Sequence, residues 1–112
     1  MKNNIFLTPL FESRYKRFKK KFPSLEAEIQ ELQNELIKNP KLGVLITSDV
    51  YKIRVPSADK NSGKSGGFRI ITYLAEEKES GFEINLITIY DKSEESSINK
   101  ETILKLIKKY LL

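Results

Sequence analysis

The apolar positions along this 112-residue chain predict helices in its first third. A short apolar run at residues 5–7 predicts a first strand. Thr8 and Pro9 then favour a helix start, because Thr suits the N-cap and Pro the first helical position. Apolar residues at helical spacing predict two helices, broken at Pro23 and ended by Asn39-Pro40. The two stripes are Phe11, Tyr15, Phe18 and Phe22, then Leu25, Ile29, Leu32 and Leu36.

In the second half of the chain, the spacing of apolar residues changes from the helical period to one typical of strands. Segments 50–55, 68–75 and 82–90 are rich in β-branched and aromatic residues, which predicts strands. Asn99 can cap a last helix with a stripe of Ile103, Leu106, Ile107 and Tyr110. The order β-α-α-β-β-β-α predicts one α+β domain, residues 1–112, with helices packed on one side of an antiparallel sheet.

Composition narrows the chemistry that this domain can perform. The net charge of +5 favours an anionic partner, although solubility alone would also explain it. The chain has no His and no Cys, which excludes Ser-His-Asp and Cys-His catalysis and Cys/His zinc sites. No apolar run is long enough for a membrane span, and no signal-peptide core is present. We therefore expect a cytoplasmic protein without a membrane partner.

The strongest candidate chemistry lies on the hairpin predicted between residues 50 and 75. Side chains alternate between the faces of a strand, so Lys52, Arg54 and Arg69 can share one face. The opposite face then carries the apolar residues Ile53, Val55, Phe68 and Ile70. Three cations on a rigid sheet predict a phosphate site. The alternative is an open sheet face with solvated charges.

The loop 56–67 of this hairpin resembles a Walker A phosphate loop only in part. Gly63, Lys64 and Ser65 fit the pattern, but Ala58 stands where a Gly is required. The segment that follows predicts a strand and not the helix that such a loop needs, which argues against nucleotide hydrolysis. The loop is therefore either a flexible connection or a mobile basic clamp, with Lys60 and Lys64 reaching a ligand.

Three further features allow both a structural and a functional interpretation. The cations in 14–21 form either a solvated helix face or a contact with RNA backbone. Tyr73 can stack on a base or, as we favour, pack in the core. Tyr90, Asp91, Lys92 and Ser93 end the last strand, where both catalysis and a simple turn would explain them.

The segments YKIRVPSADKNSGKSGGFRIITYL and LITIYDKSEESSINKETILKLIKKYLL make the chain resemble the RelE/ParE superfamily of type II toxin–antitoxin toxins. The resemblance is greatest to the HigB/RelE branch and covers nearly the whole chain. It implies a RelE-like microbial RNase fold and ribosome-dependent cleavage of mRNA, without a metal or other cofactor. It also implies three partners: mRNA, the ribosome and a cognate antitoxin. We expect a helix-turn-helix antitoxin of the HigA type, bound in a toxin–antitoxin hetero-oligomer.

The resemblance extends to single residues. Lys52 and Arg54 match cations on the family's second strand, Arg69 matches an Arg that follows an aromatic residue, and Lys92 matches a Lys at the end of the last strand. Ser93 stands where RelE-type toxins often have Arg, and residues 98–100 offer no Tyr, so that Tyr90 is a candidate stacking residue.

From the chemistry of RNA cleavage, each candidate can be given a role. We hypothesise that Arg69 stabilises the transition state and that Lys52 and Arg54 position the phosphate. Either Lys52 or Lys92 would then transfer the proton. Two other functions stay open: a ParE-like DNA gyrase inhibitor and a non-catalytic RNA- or protein-binding module.

Overall fold

The computed structural model describes residues 3–59, 67–77, 81–95 and 97–112. Five strands and three helices occur in these residues. In chain order they are β1 (Asn4–Leu7), α1 (Pro9–Lys21), α2 (Leu25–Lys38), β2 (Val44–Thr47), β3 (Val50–Val55), β4 (Phe68–Glu77), β5 (Gly81–Asp91) and α3 (Lys100–Leu111). The α+β class is confirmed. None of the described helices is long and apolar enough to cross a membrane.

The strands form one sheet in the order β1-β5-β4-β3-β2. Strands β2 to β5 are antiparallel, whereas β1 pairs with β5 in parallel, so the expectation of a wholly antiparallel sheet is wrong in this detail. Strand β2 is not predicted by the pattern of apolar residues. This strand has four residues, and Val44 and Leu45 are exposed, so it shows no alternation of apolar and polar positions.

Helices α1 and α2 cover one face of the sheet as their stripes predict. Thr8 caps α1, because its hydroxyl oxygen accepts a hydrogen bond from the Phe11 amide at 3.1 Å. Phe68 of β4 lies under these helices, with its ring centroid 5.0 Å from that of Phe18 and 5.6 Å from that of Phe22. The main core is built here, mostly from Phe11, Phe18, Leu25, Ile29, Leu36, Ile53, Phe68, Ile70, Ile84, Leu86 and Ile89.

Helix α3 packs against the opposite face of the sheet, which corrects the expectation that all helices lie on one side. Ile103 and Ile107 of this helix are buried in a second apolar cluster with Val50, Ile71, Ile87 and Tyr90. Because side chains alternate along a strand, Val50 and Ile71 point away from Ile53 and Ile70 of the main core. The face that carries the candidate cations is therefore partly covered.

Candidate functional site

The strand register places the candidate cations on one face and in a definite order. Arg54 of β3 lies directly opposite Arg69 of β4, and Arg69 lies directly opposite Tyr90 of β5. These three residues form what we call the arginine row, which crosses three adjacent strands. Lys52 lies two residues from Arg54 on the same face, where its cross-strand partner is Ile71. The shared face agrees with the prediction from the alternation of residues. The roles of the three cations are not tested by this arrangement and stay predictions.

The arginine row concentrates positive charge. Directly opposite residues in an antiparallel pair have Cβ atoms about 4.5–5.5 Å apart, and like charges there oppose folding. Arg69 is only 4% exposed, so water screens its charge poorly. Its Nη1 donates a hydrogen bond to the Phe68 carbonyl at 3.2 Å, which orients the guanidinium. Arg54 is exposed. Two guanidinium groups so placed attract an anion.

Tyr90 completes the row at its other end but is 1% exposed. Its ring belongs to the apolar cluster beneath α3, so the described conformation leaves no ring face on which a base could stack. Burial raises the pKa of its phenol above the ordinary value of 10.0. The Arg69 guanidinium lowers this pKa and the Glu95 carboxylate raises it, both by smaller amounts than burial does. The surroundings of the phenol therefore favour its neutral form over the phenolate.

Tyr73 does not join the arginine row. It lies opposite Val50 and Asn85, four residues along β4 from Arg69, or about 13 Å at the usual rise of a strand. Its ring packs beside α3 and lines a cavity of about 520 Å³ together with Leu104 and Ile107. This location fits the packing interpretation of Tyr73.

The turn after β5 brings Lys92 close to the end of the row. The Lys92 amide donates a hydrogen bond to the carbonyl of Gly67, the residue that leads into β4, at 3.0 Å. Ser93 donates to Asp91 Oδ1 from its amide at 2.9 Å and from its hydroxyl at 2.8 Å. At the position where the resemblance expects Arg, the chain therefore has a turn-stabilising Ser.

The loop lysines Lys60 and Lys64 lie outside the described residues. The segment that leads to them is anchored on the first turn of α2. The Ala58 amide donates to Glu28 Oε2 at 2.8 Å, and the Ser24 amide donates to Asp59 Oδ2 at 2.6 Å. Asp59 thereby provides an acceptor for a donor at the helix start, where amides lack partners within the helix.

Acidic residues of α2 face the outer end of the row. Arg54 lines two adjoining cavities, of about 250 and 580 Å³, between α2 and β3. The opposite wall of this groove contains three carboxylates, Glu28, Glu31 and Glu35. A polyanion is repelled from this side. It would therefore reach Arg54 from the face of the sheet and not along α2.

Arg14 makes contacts within the protein that neither a solvated helix face nor a contact with RNA backbone predicts for the cations of 14–21. Its guanidinium lies 3.4 Å from Glu95 Oε1 and also contacts β5. A signal for this location was present. Arg14 follows Phe11 by three residues and precedes Phe18 by four, so it falls on the apolar side of the helix.

Comparison with known proteins supports the fold. No protein-family model matches the chain. The structure is similar to that of Escherichia coli toxin RelE, determined as a double arginine-to-alanine mutant in the free state. The TM-score is 0.63 over the full length of both chains, at 14% sequence identity. The chain therefore has the RelE fold, and this prediction is confirmed.

Proposed function

We propose that this chain is the toxin of a type II toxin–antitoxin system and cleaves mRNA on the ribosome. It would act in the cytoplasm as a metal-independent endoribonuclease. The observation that carries the proposal is the cross-strand pair of Arg54 and Arg69, with Lys52 beside it, on the sheet of a RelE fold. A buried arginine opposite an exposed one is costly for folding and suits a site that binds phosphate.

The reaction needs no histidine, because RNA supplies its own nucleophile. The 2′-hydroxyl loses its proton to a base and attacks the adjacent phosphorus. The bond from phosphorus to the 5′-oxygen then breaks, and this oxygen takes a proton from an acid. The products are a 2′,3′-cyclic phosphate and a 5′-hydroxyl. Negative charge grows on the phosphate oxygens in between, and fixed cations stabilise it most effectively.

Their different exposure supports different tasks for the three cations. Lys52 and Arg54 reach solvent, so they are the groups that contact and orient the phosphate. Arg69 acts from within the sheet, where a low dielectric strengthens its effect on the developing charge. Its hydrogen bond to Phe68 limits rearrangement during the reaction.

Two lysines are candidates for proton transfer. Lys52 lies two residues before Arg54 on β3, whereas Lys92 lies two residues after Tyr90, beside Gly67. They thus flank the row from its two ends, and one could receive the proton while the other donates one. Pairs of groups on opposite sides of the reacting phosphate are what acid–base cleavage requires.

The proposed function includes an antitoxin of opposite charge. The chain carries +5, and a partner of acidic character that covers the arginine row would associate rapidly. By the resemblance, this partner is a helix-turn-helix protein of the HigA type in a hetero-oligomer. Co-expression with a neighbouring gene's product, followed by purification of a complex, tests this part separately.

The test of the function maps mRNA ends by primer extension in translation reactions with purified ribosomes. We compare the wild type with Arg54→Gln, which removes an exposed charge without opening a cavity, and with Arg69→Lys. Lys105→Gln is the matched control, since Lys105 is an exposed cation on α3. We expect cuts by the wild type and the control that weaken strongly in both arginine variants. Translation without cuts would contradict the proposal, and trapped DNA breaks would then indicate gyrase inhibition.

A further inference from the structure

The outer edge of β5 is completed partly by strand β1 and partly by α1. Strand β1 pairs with β5 only from Glu83 to Leu86. Beyond this point α1 and its cap supply the donors. Thr8 donates to Leu86 O at 3.2 Å and Ile87 O at 2.7 Å, and Arg14 Nη1 donates to Ile89 O at 3.4 Å. At Ile89, one residue before Tyr90, the Arg14 side chain thus supplies the donor that the backbone of a neighbouring strand would otherwise supply.

The same nitrogen of Arg14 reaches two further acceptors. It lies 3.3 Å from Thr88 Oγ1 and 3.4 Å from Glu95 Oε1. Each distance is at the long end of the hydrogen-bond range, so the guanidinium is shared among its acceptors. The side chains of Arg14 and Glu95 are only 31% and 41% exposed, which reduces screening of their charges.

These contacts enclose the turn that carries Lys92. Ile89 precedes the turn and Glu95 ends it, so Arg14 holds both sides of the segment between them. Within the turn, the amides of Glu94 and Glu95 donate to the Asp91 carbonyl at 3.0 and 2.9 Å. The position of Lys92 relative to the arginine row therefore depends on how firmly this turn is held.

We propose that Arg14 is a positioning residue, which fixes the Asp91–Glu95 turn against β5 and so sets where Lys92 stands relative to Arg69. This inference rests on the proposed function for its catalytic consequence. Arg14 itself touches no substrate. It acts through the turn, and small displacements of a reacting group are known to cost large factors in rate.

The chain offers a matched control in the neighbouring ion pair of Arg17 with Glu94. This pair has the same chemistry at 3.6 Å, but its side chains are 60% and 51% exposed. A surface pair of this kind contributes little. Arg17→Gln and Glu94→Gln therefore repeat the charge changes of Arg14→Gln and Glu95→Gln at a solvent-exposed position.

The experiment measures the four glutamine variants and Arg14→Lys. We expect Arg14→Gln to lower kcat for RNA cleavage about ten-fold with KM within about two-fold, as for a displaced reacting group. Hydrogen exchange at the amides of Lys92, Glu94 and Glu95 should become faster in parallel. Arg14→Lys keeps the charge and one donor group, so it should restore part of both losses. The Arg17 and Glu94 variants should resemble the wild type.

Titration of Tyr90 gives a spectroscopic signature. Arg69 of β4 and Glu95 of the turn act on its phenol with opposite signs, and Arg14 of α1 holds Glu95. Releasing or neutralising Glu95 should therefore lower the Tyr90 pKa, read by ultraviolet absorbance against Tyr90→Phe. Fast exchange and a lowered Tyr90 pKa in Arg14→Gln, alongside a wild type that cleaves no RNA, would support the turn's anchoring while refuting the proposed function. Unchanged exchange, pKa and kcat in Arg14→Gln would refute the inference itself.

Discussion

The salt dependence of RNA binding gives a quantitative test of the arginine row. Each cation that neutralises a phosphate releases counterions, so log K falls with log salt concentration by about 0.7 per contact for a single strand. Lys52 and Arg54 reach solvent, whereas Arg69 is 4% exposed. Under the proposed function, we therefore expect two direct phosphate contacts at the site, from Lys52 and Arg54. Under that function, Arg69 donates to the phosphate as charge develops in the transition state and adds no contact with the bound ground state.

The expected changes in the salt slope follow from the number of direct phosphate contacts. Lys52→Gln and Arg54→Gln should each reduce the slope by about 0.7, and the double variant by about 1.4. Arg69→Lys keeps the charge and should leave the slope unchanged. A lysine, however, lacks the planar fork of arginine. Cleavage by Arg69→Lys should therefore fall about 100-fold or more, the effect of losing a preorganised donor in the transition state.

The assay is fluorescence anisotropy of a short labelled RNA between 50 and 300 mM salt, on the order of the range in which this slope is measured. RNA with a 2′-deoxy substitution at the cleavage position prevents turnover during the titration. Lys105→Gln lowers the net charge by one unit at an exposed position of α3, and it controls for charge alone. If it changed the slope as much as Arg54→Gln does, binding would depend on total charge and the assigned contacts would be wrong.

Three further predictions concern stability. Phe68→Leu should lower the free energy of unfolding by about 1.5–3 kcal/mol, because the core loses volume and ring contacts. Phe6 is half-exposed, so Phe6→Leu should lower it by less than about 0.5 kcal/mol. Urea denaturation measures both losses, and equal losses would contradict the packing of Phe68. Asp59→Ala should lower the free energy of unfolding by about 0.5–2 kcal/mol in the same assay, because the Ser24 amide loses its acceptor. An unchanged free energy would show that water replaces the Asp59 carboxylate as acceptor. Because the pKa of Tyr90 is raised in the folded protein, the unfolded chain loses this proton first as the pH rises above about 10. The free energy of unfolding should therefore fall more steeply with pH there in the wild type than in Tyr90→Phe. Parallel curves of unfolding free energy against pH would refute the raised pKa of Tyr90.

Much of the fold could be predicted because the information is local. The stripe from Phe11 to Phe22 and the cap at Thr8 specify a helix through spacing and backbone donors within a few residues. Alternation of Lys52 and Arg54 with Ile53 and Val55 specifies their faces in the same way. The register of the strands then added only the pairing partners.

What local patterns could not decide is how the elements meet. Strand β2 exists because β3 provides a partner, although its exposed residues give no alternation. The parallel pairing of β1 joins residues nearly eighty positions apart, and the side chosen by α3 depends on apolar residues on both faces of the central strands.

The candidate site, too, has features that follow from local sequence patterns and features that depend on contacts between distant segments. The sequence by itself determined which cations share a face, because alternation along a strand is a property of the strand alone. Only the tertiary structure decided that Arg69 and Tyr90 are buried beside each other and that Arg14 meets Glu95 across 81 positions of the chain. Burial and pairing between distant segments depend on the packing of the whole chain, and this packing sets the strength of each charge at the site.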